Sequence, residues 1–168
     1  MSTSSADSTA AAFGENRVEL ATFELHGQEF AIDVTQIREI VRAREVTPLP
    51  KAPELIEGVV DLRGIVVPVV DLGRALGEAP VDAGAAARIV LIEVDGLIFG
   101  LRVGGATEVL SAEAAALEAP PALATQAGYD AVRAVVRRPD APPVLVLSVE
   151  HILESVFRSA LPLQGEDS

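Results

Sequence analysis

The residues that could carry out chemistry in this sequence are carboxylates and two histidines. Glu54 and Glu57 form the kind of carboxylate pair that can perform acid–base catalysis, but the chain holds 25 Asp and Glu residues, and such pairs are usually solvated. His26 and His151 lie far apart, and Cys is absent. There is also no glycine-rich phosphate loop, Gly-x-Ser-x-Gly elbow or His-Glu-x-x-His pair. We therefore predict no catalytic, metal-binding or cofactor-binding site, and a protein that is not an enzyme.

The overall charge and composition exclude further classes of function. Asp and Glu outnumber Lys and Arg by 25 to 13, which gives a net charge of −12, so the chain lacks the cationic surface that binds nucleic acid. The longest apolar stretch, Ile65–Val70, is far shorter than the roughly 20 residues of a membrane span. We predict that the chain neither binds nucleic acid nor inserts directly into a membrane. The lack of Cys fits the reducing cytoplasm, where we expect the protein to be a monomer.

The positioning elements belong to one domain, because the chain has 168 residues of which 49% are hydrophobic. Residues 1–16 contain no apolar run and no basic residue, which predicts a disordered tail without a signal peptide. The domain is predicted over residues 17–158, and residues 159–168 are expected to form a flexible tail.

Short apolar segments separated by glycine turns predict a mainly β protein. Two-residue turns at His26-Gly27, Arg63-Gly64 and Asp95-Gly96 predict three β-hairpins. Asp33 and Asp71 are expected to cap short helical turns, and a further helical turn is predicted over residues 53–57.

Other segments are read from their periodicity. Residues 37–41 fit either a strand or a helix end, and residues 111–118 predict a helix. Strands are predicted at 132–137 and 144–147. From Ser148 onward, apolar residues at helical spacing predict a C-terminal helix docked on the protein's own core.

The sequence contains an internal repeat. An offset of 69 residues aligns Gly27 with Gly96 and Phe30 with Phe99, and it also aligns Glu39 with Glu108 and Ile40 with Val109. An offset of 77 aligns residues 69–72 with 146–149. Each half is too small to bury its own apolar face, so two similar sub-barrels that share a hydrophobic core are the expected architecture.

Residues 58–72, which read GVVDLRGIVVPVVDL, resemble the signature hairpin of the CheW family of bacterial chemotaxis coupling proteins. The resemblance extends from about Val18 to Phe157. It implies two five-stranded barrels of the Src-homology type around a shared core, with short helices. It also implies a non-enzymatic adaptor, clustered with receptor arrays, that joins the cytoplasmic tip of a chemoreceptor to the regulatory domain of a CheA-type histidine kinase.

The resemblance assigns a receptor-binding groove between the sub-barrels to four residues: Ile37, Glu39, Ile89 and Val90. Ordinary core packing would explain the three aliphatic residues equally well, because binding clefts and cores share an apolar composition.

Kinase binding is assigned by the same resemblance to Val46 and Leu49, at the end of the first half's barrel, although apolar residues beside prolines also anchor loops. Arg63, at the hairpin tip, is expected to make a charged contact with a partner rather than to be a solvated turn residue.

The sequence departs from the family pattern mainly in its second half. Gly104-Gly105 replace an acidic residue, and Ala131 to Arg133 replace a glycine in the strand after Tyr129; in the first half, Asp61 stands where Asn is usual. The alternative function is therefore an accessory module of another chemosensory system that binds receptors or other signalling components with weak or no kinase activation. A kinase fragment or a phosphatase would be a different class of function, but we expect the tails to be too short to hold a catalytic domain.

Overall fold

A computed structural model describes residues 16–82, 84–121 and 130–160. Within them the chain forms eleven strands: β1 (Arg17–Leu25), β2 (Gln28–Asp33), β3 (Ile37–Arg42), β4 (Ile56–Leu62), β5 (Ile65–Asp71), β6 (Arg88–Val94), β7 (Leu97–Val103), β8 (Ala106–Glu113), β9 (Leu117–Glu118), β10 (Val132–Arg138) and β11 (Ala141–Leu147). Helix α1 spans Leu72–Ala75 and helix α2 spans Val149–Ala160. Two 3-10 turns cover Val34–Gln36 and Ala114–Ala116. The predicted mainly β class is confirmed.

The strands form two sheets. Sheet I has the order β8-β1-β2-β11-β10-β9, and sheet II has the order β3-β6-β7-β5-β4. Sheet I therefore has six strands rather than the predicted five, because the two-residue strand β9 pairs with β10. No helix in the described ranges is long and apolar enough to cross a membrane.

The two sheets exchange their hairpins between the halves of the chain. Hairpin β1–β2 comes from the first half but lies in sheet I with β8 to β11, and hairpin β6–β7 from the second half lies in sheet II. The sheets therefore do not correspond to the sequence halves.

Strand registers confirm the repeat. In sheet I, Leu20 pairs with Leu110. The offset of 69 residues relates Leu20 to Ile89 and Leu110 to Val41, and these two residues also pair, in sheet II. The parallel pairing of β2 with β11 repeats that of β7 with β5, because the offset of 69 relates β2 to β7 and the offset of 77 relates β5 to β11.

Side chains that alternate along the strands form three cores. Residues of sheet I alone form the core of barrel I: Leu20, Ala31, Ala134, Val136, Val144 and Val146. Residues of sheet II alone form the core of barrel II: Val60, Leu62, Val67, Val69, Ile89 and Leu91. Because each of these clusters is packed from one face of a single sheet, each sheet curves around its own core. The other faces and α2 build a shared core, which includes Phe23, Ile32, Val90, Leu101 and Ile152.

The local signals explain most element ends. All three predicted two-residue turns have positive φ at both residues, for example 54° at Arg63 and 85° at Gly64, the geometry that suits a right-twisted hairpin. Asp33 and Asp71 accept hydrogen bonds from Thr35 N and Arg74 N and so cap the predicted turns.

Four expectations need correction or completion. Residues 37–41 belong to strand β3. The predicted helix over 111–118 is wrong, because this segment completes β8, a 3-10 turn and β9. The helical turn predicted over 53–57 is a shorter hydrogen-bonded turn, in which Ile56 N donates to Pro53 O at 2.9 Å, because β4 already begins at Ile56. In α2, Val149, Ile152 and Val156 are buried as predicted, but Phe157 is 53% exposed.

Some expectations fall on residues that the structure does not describe. Most of the predicted tails over 1–16 and 159–168 lie outside the described residues, as does Tyr129.

Candidate protein-interaction site

An ion pair between Glu39 and Arg63 marks the open end of barrel II. Glu39 lies on β3, an edge strand of sheet II, and Arg63 is the first residue of the turn between β4 and β5. The Arg63 Nη2 group donates a hydrogen bond to Glu39 Oε1. Asp61 Oδ1 accepts a hydrogen bond of 2.9 Å from Gly64 N, which holds the turn. Sequence reasoning assigned Glu39 and Arg63 to two different interfaces, and the structure brings them into contact.

The ion pair fixes the charge state of both residues. The hydrogen bond from Arg63 lowers the pKa of the Glu39 carboxyl below its ordinary value; partial burial opposes this change, and the positive charges of Arg63 and Arg44 reinforce it. The same bond and the Glu39 charge raise the pKa of Arg63. Both groups are therefore ionised at neutral pH, and the 74% exposed Arg63 side chain presents its charge to solvent.

A pocket of about 160 Å³ opens beside the ion pair. Its walls are mainly aliphatic, and its lining residues are Arg38, Glu39, Leu62, Arg63, Ile65, Val67, Leu91 and Ile98. Ile65 and the adjacent Val66 are 60% and 62% exposed. The end of barrel II thus combines an apolar centre with ionised groups at its edge, which is the usual composition of a protein–protein interface.

Ile89 and Val90 are fully buried, as the alternative of ordinary core packing requires, and they do not line an exposed surface in this structure. Their strand, β6, lies inside sheet II between β3 and β7. Because successive side chains of a strand point to opposite faces, Ile89 packs into the core of barrel II and Val90 into the shared core. Ile37, on the edge strand β3, is only partly buried and packs at the margin of the shared core.

The connector between β3 and β4 carries Val46 and Leu49. Val46 is partly buried against the core of barrel II, whereas Leu49 is 44% exposed. Thr47 holds the connector on β4 through two backbone hydrogen bonds with Val59, of 2.8 and 2.9 Å. The three residues predicted to bind the kinase, Val46, Leu49 and Arg63, thus all lie on barrel II.

Sequence reasoning missed the pocket wall, above all Leu91 and Ile98. Both residues lie in strands whose apolar side chains were predicted to pack in the core. A single sequence does not show where the core of a barrel opens to solvent. The internal repeat held the available signal, because it aligns Ile98 with a charged residue, Glu29.

The amino-acid sequence of this chain is similar to those of known proteins. The family model of the CheW-like domain matches residues 19–157. The chain belongs to the CheW-like domain family. The chemotaxis protein CheW of Treponema pallidum is 26% identical over 148 residues, which cover 86% of each chain. The chemotaxis protein CheW of Bacillus subtilis is 31% identical over 102 residues, which cover 61% of this chain and 65% of that protein.

A solved structure supports the same assignment. The scaffolding protein TtCheW from Thermoanaerobacter tengcongensis superposes with a TM-score of 0.72 at 26% identity, over 80% of this chain and 86% of that one. This CheW-like protein is therefore a chemotaxis scaffold or adaptor by family. The candidate site is a surface of paired charges and exposed aliphatic side chains. Among the described residues, no group of three or more His, Asp or Glu side chains could hold a metal ion.

Proposed function

We propose that this CheW-like protein is a non-enzymatic adaptor that couples the cytoplasmic tip of a chemoreceptor to the regulatory domain of a CheA-type histidine kinase. The observation that carries the proposal is the contact between Glu39 and Arg63 at the open end of barrel II. An adaptor must bind two partners at once, and this contact makes a candidate receptor residue adjacent to a candidate kinase residue.

The kinase surface is formed by Arg63, Leu49 and the exposed residues Ile65 and Val66. Burying an exposed aliphatic side chain fully is worth about 1.5–3 kcal/mol, and these three aliphatic residues are 44–62% exposed. Arg63 lies at the same turn as Ile65 and Val66, and an arginine beside exposed aliphatic side chains is typical of the residues that dominate binding energy.

The receptor surface is formed by the edge strand β3, with Ile37 and Glu39. Both side chains are partly exposed. Ile89 and Val90 hold this strand from the neighbouring strand of the same sheet, because β6 pairs with β3 along residues 37–42, but they do not contact the partner in this proposal.

Binding of the purified protein to an isolated kinase regulatory domain and to a receptor tip tests the proposal, each alone and then together. We expect both partners to bind and to form a ternary complex. Leu49→Glu should weaken kinase-domain binding at least tenfold and leave receptor binding unchanged, because a charge would be desolvated at the kinase surface only.

Val109→Glu is the matched control, because Val109 is 64% exposed but lies on β8 at the edge of sheet I. It should bind both partners as the parent does. A parent protein that binds neither partner would refute the proposal. A ternary complex that forms without raising kinase activity in a reconstituted array would instead identify the accessory module as the function.

A further inference from the structure

The internal repeat allows the ends of the two barrels to be compared position by position. An offset of 69 residues relates Glu39 in barrel II to Glu108 in barrel I, and it relates Leu91 to Thr22 and Ile98 to Glu29. The strand registers obey this offset, so these positions are equivalent in space as well as in sequence. The end of barrel I can therefore be compared directly with the end of barrel II.

The end of barrel I is filled by the chain's own polar side chains. Arg138, at the end of β10, donates hydrogen bonds to Glu29 and to the carbonyl oxygen of Pro142, and it lies 3.6 Å from Glu108. Thr107 Oγ1 donates a second hydrogen bond to Glu29, of 2.9 Å. The Arg138 and Glu29 side chains are only 20% and 22% exposed, so this network occupies the space at the end of the barrel.

The end of barrel II has the same outer ion pair but no such filling. Glu39 corresponds to Glu108, and each is paired with an arginine of a different strand or turn, Arg63 in barrel II and Arg138 in barrel I. The positions of Glu29 and Thr22 are taken by Ile98 and Leu91. These two aliphatic side chains line the pocket of about 160 Å³ instead of closing it.

We infer that this pocket is a socket for one apolar side chain of the kinase regulatory domain, no larger than a phenyl ring. The inference rests on the proposed function and specifies how the kinase is recognised. An apolar protein cavity of about 150 Å³ accommodates benzene, so the volume suits a Leu, Ile, Met or Phe side chain.

The charges around the socket argue against a charged occupant. Glu39 is paired with Arg63, and Arg38 donates a hydrogen bond of 2.8 Å to Glu93. A further charge in the socket would be desolvated against Leu91 and Ile98 and would have to compete for rim groups that already pair with each other, which is costly. An apolar side chain meets aliphatic walls and leaves both ion pairs intact.

Ile98→Glu tests the socket, because it introduces at the barrel II end the residue that fills the barrel I end. The kinase regulatory domain is the probe, and we expect its affinity to fall at least tenfold. Leu97→Glu is the matched control, since it places the same charge on the adjacent residue of β7, which is 46% exposed and does not line the socket. It should bind as the parent does.

Ile98→Phe is the second variant, which fills the socket without adding a charge and keeps the test valid if Ile98→Glu does not fold. Equal binding by the parent and by a folded socket variant would overturn the socket alone. Weakened binding by Leu97→Glu as well would also overturn it, since a broad face rather than a socket would then be recognised. A parent that binds neither kinase domain nor receptor tip would refute the proposed function itself.

Discussion

Replacing Gly58 by alanine should detach the connector that carries Val46 and Leu49. Gly58 lies in β4 directly beneath this connector, and its backbone φ is not in the left-handed region. A Cβ atom there would meet the carbonyl oxygen of Thr47 first, and it would also lie 2.6 Å from Val46 Cγ1 and 2.8 Å from the carbonyl carbon of Thr47. Ordinary contacts begin at 3.4 Å, so the connector must move away by more than 0.8 Å, which is the shortfall at Val46 Cγ1 alone.

The cost can be built from two contributions. Inserting a methyl group into a packed site costs about 1–3 kcal/mol, and weakening the two hydrogen bonds between Thr47 and Val59 adds about 1 kcal/mol each. Alanine lowers the conformational entropy of the unfolded chain relative to glycine, which offsets about 0.4–1 kcal/mol of this loss of stability. We expect a net loss of about 3 kcal/mol, which for a chain of this length lowers Tm by roughly 6–12 °C.

Thermal unfolding followed by circular dichroism measures the loss, and amide hydrogen exchange locates it. The amides of Thr47 and Val59 should exchange faster in Gly58→Ala, and kinase-domain binding should weaken while receptor binding persists. Gly84→Ala is the control, because nothing lies within 4 Å of a Cβ at that position, and its Tm should match or exceed the parent's. A Gly58→Ala protein with the parent's Tm and the parent's exchange rates would show that the close contact is not maintained in solution.

Three further outcomes are expected. Arg138→Ala should lower stability by about 2–3 kcal/mol, because it leaves the mostly buried Glu29 without its charged donor. Arg63→Ala should lower Tm much less, because the pair that it removes is exposed and screened by solvent; equal melting curves for the two variants would contradict this difference. The carboxyl group of Glu39 should titrate by NMR with a pKa below its ordinary value and move back toward it in Arg63→Ala; because this pKa is depressed on folding, the ion pair stabilises the fold above the ordinary pKa and ceases to do so as the pH falls through the depressed value. Val90→Glu should abolish folding, since its side chain is fully buried in the shared core; a folded variant that fails only to bind receptor would restore Val90 to the interface.

Local sequence signals predicted the strands and turns well because their causes are local. Glycine at the second position of each two-residue turn adopts a positive φ that other residues rarely reach, and Asp71 finds its backbone donor three residues away. The segment 111–118 was the exception. Its alanines favour a helix, but pairing of β8 with β1 prevailed.

Long-range arrangement could not be predicted in the same way. The repeat predicted two similar units, but nothing in it shows whether hairpin β1–β2 packs with its own half or with the other. The sequence also does not show which face of the sheet Ile89 and Val90 occupy. In a strand buried on both faces successive residues are all apolar, so only the fold decides which core each side chain enters. The contact between Glu39 and Arg63 depends on the curvature of sheet II, which brings β3 near the turn between β4 and β5.

Exchange of the hairpins has a consequence for the protein during its synthesis. Sheet II can be completed once Val103 has been translated, but hairpin β1–β2 must wait for β11, which ends at Leu147. Between Asp33 and Leu147 the ribosome adds 114 residues, which takes roughly 6–23 s at 5–20 residues per second. Until then Leu20 and Ala31 of the hairpin lack Val144 and Val146 of β11, which complete the core of barrel I. The nascent chain should therefore be a substrate for ribosome-associated chaperones until its last strand emerges.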